Sequence, residues 1–132
     1  MFGFSDKASP AAILTAIYQH QAVIEFEPDG TIVTTNALFL QLTGYQLNEI
    51  RGQQHRMFLD PTQAASAEYQ QFWQQLRQGK AQTAEFKRLG KGGKEVWIQA
   101  SYTPVLQREK VVRVIKFATD VSAEVLARAD QQ

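Results

Sequence analysis

The two histidines, His20 and His55, are the chain's only imidazoles, and a lone histidine makes no metal site by itself. His55 alone therefore reads as an exposed or backbone-bonded side chain. No cysteine is present, which removes disulfides, thiolate zinc sites, iron–sulfur clusters, thiol nucleophiles and cysteinyl adducts to a chromophore. The carboxylates Glu25, Asp29, Glu49, Asp60, Glu85 and Asp120 fall on separate predicted elements, so no acid–base pair forms from spacing. Serines and threonines are plentiful, but no nucleophile–base set stands out. The run Gly90-Lys91-Gly92-Gly93-Lys94 has the glycines of a phosphate loop. A strand follows it where a helix would be required, and it reads as a hairpin turn. These absences point to a protein that is not an enzyme.

The elements that would position these residues belong to one domain, since 132 residues with 44% hydrophobic and 20% charged side chains suit a single packed core. Fourteen basic against 13 acidic residues give a net charge of +1, which offers no reason to expect nucleic acid as a partner. No apolar run is long enough to span a bilayer, and the start lacks a charged leader followed by a hydrophobic stretch. The chain reads as cytoplasmic.

Ser9-Pro10 starts a helix whose apolar stripe is Ile13, Leu14 and Ile17, ending near residue 20. A hairpin follows, Ala22 to Glu27 and Thr31 to Thr35 around Pro28-Asp29-Gly30. Asn36 caps a helix from Ala37 to Leu42 that Gly44 closes, and residues 45 to 61 leave room only for short helical turns. Tyr69, Phe72, Trp73 and Leu76 mark one amphipathic helix over residues 63 to 78. Aromatics at this spacing read as core. Three strands complete the chain, at 82–89, 94–105 and 110–119, with turns at residues 90–94 and 107–110. In the middle strand Val96, Ile98, Ala100 and Tyr102 share one face; in the last, Val111, Ile115 and Phe117 oppose Val112 and Val114. A further helix is expected after Ser122. The order describes an α+β fold, an antiparallel sheet with helices segregated to one face.

Residues 22–122 resemble the PAS family. The residues that carry the resemblance are Val23-Ile24-Glu25-Phe26, Asp29-Gly30-Thr31-Ile32, Asn36-Ala37-Leu38-Phe39-Leu40, Thr43-Gly44-Tyr45, Glu49-Ile50-Arg51-Gly52 and Phe117-Ala118-Thr119-Asp120-Val121-Ser122. Within that family the segment Gly52 to Pro61, Phe72-Trp73, and Phe86-Lys87-Arg88 through Tyr102 are similar to the PAS domains of soluble methyl-accepting chemotaxis and aerotaxis receptors. The resemblance implies a five-stranded antiparallel sheet in the order 2-1-5-4-3, with residues 1–21 as an N-terminal cap helix, 22–122 as the sensory domain and 123–132 as the start of a linker helix.

It also implies a sensory input role, in which a pocket between sheet and helices couples a ligand or redox state to a downstream signalling domain. The other reading is a ligand-free module acting only in dimerisation. Haem b and FAD are the cofactors the family suggests, with His55 as axial ligand if haem is bound. Two departures bear on them: Val111 to Thr119 has no tryptophan, and Ala81-Gln82-Thr83-Ala84 stands where flavin-binding relatives carry a Pro-Trp-Ser-Gly-like segment. Phe39, Leu42, Ile50, Met57, Phe58, Trp73 and Ile98 are the expected pocket lining, being apolar on predicted inward faces. A homodimer is expected, formed through the helix of residues 10–20 and the outer face of the sheet. The short helix after Ser122 gains little alone, so an onward chain is expected.

Overall fold

In the computed structural model, which describes residues 7–130, a five-stranded antiparallel sheet runs in the order β2-β1-β5-β4-β3. Its strands are β1 (Ala22–Phe26), β2 (Ile32–Thr35), β3 (Gln82–Leu89), β4 (Glu95–Gln107) and β5 (Lys110–Asp120). Helix α1 (Pro10–Tyr18) precedes them, and α2 (Ala37–Thr43), α3 (Leu47–Ile50), α4 (Pro61–Ala64) and α5 (Ala67–Arg77) lie between β2 and β3. A 3-10 turn, His55–Phe58, joins α3 to α4, and α6 (Ser122–Asp130) leaves the last strand. This is the expected fold and strand order.

Alternation in β4 buries Val96, Ile98, Ala100 and Tyr102 against the helices and turns Trp97, Gln99, Ser101 and Thr103 outward. In β5 the alternation breaks. Val105 pairs with Arg113 but Leu106 pairs with Val111, so Val112 is the extra residue of a bulge. The parity expected for Val111 is thereby reversed: it packs on the core with Val114, while Ile115 and Phe117 stay outward. The turn that follows β4 places Arg108 and Glu109 at φ 51° and 66°, a two-residue hairpin made without the usual glycine or asparagine.

Asn36 joins three elements. Its Oδ1 accepts from the backbone N–H of Phe39, capping α2, and from that of Val23 in β1, while its Nδ2 donates to the carbonyls of Tyr18 and Gln21. Gly44 closes α2 in the left-handed conformation at φ 80°. Gly90 serves close approach instead. A Cβ there would stand 2.6 Å from the Thr43 carbonyl oxygen, so the end of β3 can press against the end of α2 only because this residue has no side chain.

The single helix expected over residues 63–78 is two, because Ser66 interrupts it. The Ser66 hydroxyl accepts from the N–H of Tyr69 and starts α5 afresh. The stripe of α1 is not covered by the sheet. Ile13, Leu14 and Ile17 remain about 40% exposed (39%, 42% and 39%), and the helix buries none of its residues. Asn36 Nδ2 holds its C-terminal end through the Tyr18 carbonyl.

Candidate functional site

The His55 turn is placed by backbone. The N–H of His55 donates to the Gly30 carbonyl at 2.9 Å, that of Ile32 donates to Gln53, and Gln54 Nε2 donates to Thr31 Oγ1 at 2.8 Å. The turn thus extends the β2 edge and directs the imidazole inward. His55 is completely buried, neither exposed nor backbone-bonded through its ring. Phe26, Phe58, Tyr69, Trp73 and Tyr102 surround it, with ring centroids 5.2 to 6.0 Å away.

Both ring nitrogens are taken, Nδ1 by the Tyr69 hydroxyl at 2.7 Å and Nε2 by the Tyr102 hydroxyl at 2.8 Å. The network assigns the tautomer. Tyr102 Oη accepts from Arg88 Nη2 at 3.2 Å, and the ammonium of Lys116 stands 5.0 Å from the centre of its ring, so two positive charges face this phenol and turn its hydrogen away from them, towards His55 Nε2. The imidazole proton therefore sits on Nδ1 and is donated to Tyr69, whose oxygen also accepts from Trp73 Nε1 at 3.1 Å. A polar chain runs from two cations on the sheet, through Tyr102 and His55, to a half-buried tyrosine at the surface.

Burial, seconded by the charges of Arg88 and Lys116, holds the His55 pKa well below its ordinary value, so the ring is neutral. Burial pushes Tyr69 up to about 12. Tyr102 is pulled both ways: burial raises it, but the charges of Arg88 and Lys116 outweigh burial and the net direction is down. Lys116 is lowered, chiefly by burial.

His55 gives a testable acid dependence. Its folded pKa is depressed, so the stability it contributes is present above the unfolded value of 6.5 and is lost as pH falls through the window below it. The expected slope is about 1.4 kcal/mol per pH unit. Urea midpoints between neutrality and pH 5, compared with those of His55→Gln, isolate it because the carboxylates are common to both proteins. Parallel curves would show that His55 is not a buried neutral histidine.

Of the expected pocket residues, Phe39, Leu42, Phe58 and Ile98 surround one interior space, together with Thr43, Val96, Arg88 and Lys116. Ile50 is fully buried in the core, Met57 packs on its margin, and Trp73 stands in the ring shell of His55. The space measures about 10 Å³, the size of a single water. A haem or an isoalloxazine does not fit this packing, and an axial histidine needs a ring nitrogen that His55 does not have free. Among the described residues no cluster of three metal-ligating side chains occurs.

Sequence reading missed Arg88, Tyr102 and Lys116 as site residues. Tyr102 was on the expected inward face, and Lys116 shares the parity of Val114 and Ala118 on β5, which is the signal that marks it. Arg88 pairs with inward Val96 across β3 and β4.

Comparison with known proteins agrees with the fold. The family described as the PAS fold matches residues 32–118. The biofilm dispersion protein BdlA of Pseudomonas aeruginosa is 36% identical over 120 residues, covering 90% of this chain and 29% of that protein. The aerotaxis receptor of Escherichia coli is 27% identical over 99 residues, covering 75% of this chain and 19% of the receptor. The chain thus spans less than a third of each of these relatives. An RNA-binding light-oxygen-voltage receptor superposes with a TM-score of 0.74 at 23% identity, covering 98% of this chain and 40% of that one. A PAS domain from Colwellia psychrerythraea superposes at 0.69 with 21% identity, covering 84% of this chain and 98% of the domain. These two likenesses concern the fold alone.

Proposed function

The chain belongs to the PAS fold family, and from that premise we propose that it is a sensory input module of a chemotaxis-type signal transducer, not an enzyme, acting in the cytoplasm on a downstream signalling domain. The observation that carries the reading is the chain Tyr102–His55–Tyr69 with Lys116 over the Tyr102 ring, because Lys116 and Tyr102 lie on the strands that hold α6. Lys116 is four residues before Asp120, the last residue of β5. Asp120 Oδ1 accepts from the N–H of Ser122, and Ser122 Oγ accepts from the N–H of Trp97 on β4. Further along α6, Arg128 Nη2 donates to both carboxylate oxygens of Glu85 on β3, at 2.9 and 3.0 Å. A rearrangement around Tyr102 thus has a short path to the helix that leaves the domain. The similarity to an aerotaxis receptor supports the same direction.

A second reading, self-association without a ligand, is favoured by the exposed stripe of α1 and by the nearly filled interior. One measurement separates the two. If the network drives α6, His55→Gln accelerates hydrogen exchange of the α6 amides about fivefold or more, the lower bound of useful coupling between sites. A module that works only by association leaves α6 exchange indifferent to that substitution.

A further inference from the structure

Two cations lie inside this core with no carboxylate beside them. Lys116 is 1% exposed and Arg88 7%, and the ion pairs formed among the described residues, Lys87–Glu95, Lys91–Glu49, Arg113–Glu27 and Arg128–Glu85, include neither. Buried charges are ordinarily paired, because desolvation is not repaid otherwise. Part of the compensation comes from rings. Lys116 Nζ stands 5.0 Å from the Tyr102 ring centre and 5.6 Å from that of Phe39, and Arg88 Cζ is 4.6 Å from the ring of Phe86. Ring faces and a phenol supply partial negative charge only. Arg88 spends Nη1 on the Lys87 carbonyl and Nη2 on Tyr102, and its buried Nε–H has no partner. An unsatisfied donor on a buried cation is rare in folded proteins.

The interior space is bordered by both of these side chains, with Phe39, Phe58, Val96 and Ile98 as apolar walls. Arg88 also borders a surface groove of about 600 Å³ that includes Tyr69, Phe72 and Phe86, so one residue faces both the interior space and a route to solvent. We propose that this space is an anion site, in which a compact monoanion, a halide or at most the one-carbon carboxylate formate, is held between Arg88 and Lys116. The size limit follows from the volume, about one water at rest, and the sign follows from the two unpaired cations. An anion there supplies an acceptor for the Arg88 Nε–H and draws both cations away from Tyr102. The downward pull of those cations on the Tyr102 pKa would then relax, loosening the tie between the sheet and His55.

The proposal deepens the sensory reading and rests on it for its physiological sense, but anion binding is measured without reference to α6, so either can fail alone. The full chain is titrated with sodium chloride, bromide, formate or acetate at constant ionic strength against sodium gluconate, following the Arg88 Nε–H resonance by NMR. A saturable one-site shift is expected with at least one compact anion. Saturation by chloride and bromide alone would assign a halide, and saturation by formate a carboxylate; acetate, larger than the space, should give no saturation. Lys116→Met, which conserves length and removes the charge, should abolish saturation while the far-UV circular dichroism stays native. Arg88→Lys, which keeps charge but removes Nε–H, is followed instead through the Tyr102 resonances and should bind about tenfold more weakly. The proposal is overturned if every salt gives the same linear drift, if gluconate is as effective as chloride, or if Lys116→Met saturates like the parent.

Discussion

Tyr102→Phe lowers the unfolding free energy by about 3–5 kcal/mol, several times the roughly 1 kcal/mol usual for deleting one neutral hydrogen bond. The ring itself is conserved by the substitution, so neither cavity nor lost apolar burial enters. What is removed is one oxygen, fully buried, that Arg88 Nη2 and His55 Nε2 both contact and whose ring carries the Lys116 ammonium 5.0 Å from its centre. Without it, buried Arg88 loses an acceptor, buried Lys116 loses the dipole that faces it, and the imidazole loses the proton donor that fixes its tautomer. Breaking a buried charged contact by deleting one partner falls in this range because the remaining charge stays out of water. Tyr69→Phe is the control. Its hydroxyl bonds His55 and Trp73, but Tyr69 is half-buried and lines the open groove, where water can replace the lost oxygen for both donors, so about 1 kcal/mol is expected. Urea unfolding at pH 7.5 with unchanged m-values measures both. A Tyr102→Phe loss no larger than the control would mean that the cations are compensated by something other than this phenol.

The contrast between the two tyrosines also marks how far the sequence could be read. Strand alternation in β4 announces that Tyr102 points inward, and it does, because the period of two allows no other register once Val96 and Ile98 are buried. Turn and cap residues behaved in the same way. Asn36 and Gly44 bound α2 through chemistry that depends only on neighbours in sequence. The parity error at Val111 has a different origin, since a bulge is a property of two paired strands, and β5 alone carries no glycine or proline to announce it. Ser66 was readable as a cap only against the competing apolar spacing of a longer helix.

The candidate site was legible in its walls and not in its centre. Phe39, Leu42, Phe58 and Ile98 follow from hydropathy, and they do border the interior space. Arg88 and Lys116 sit among apolar neighbours on β3 and β5, where long charged side chains ordinarily reach for solvent. Only the three-dimensional packing, with α2 on one side and β4 between the two strands, keeps both of them almost wholly buried. His55 was picked out for its chemistry, but its hydrogen-bonding partners come from residues 14 and 47 positions away in sequence, beyond any local motif.

The same accounting gives an opposite sign for the neighbouring lysine: Lys116→Met raises the unfolding free energy by about 1–4 kcal/mol at neutral pH in gluconate, where no compact anion competes. Methionine matches the stem in length and flexibility, so the substitution removes the charge with little change of volume. It also removes the repulsion between Lys116 and Arg88. The cost that Lys116 now imposes is recorded in its titration. Its folded pKa lies below the ordinary 10.5, burial being the main cause, with Arg88 adding to it and Tyr102 opposing. A depressed folded pKa contributes stability that is present above the unfolded value and is lost as pH falls through the folded one. The penalty therefore builds up as pH falls below 10.5, and the advantage of Lys116→Met should shrink as pH rises towards 10.5. Coupling to Tyr102 supplies the sharper check. With the lysine gone, Tyr102→Phe strands one cation instead of two, so the double variant should be more stable than the sum of the two single effects predicts, by about 1 kcal/mol or more. Additive effects would separate Lys116 from the network, and a destabilised Lys116→Met would show that its ammonium is well paired in the native core, removing the electrostatic ground on which the anion site stands.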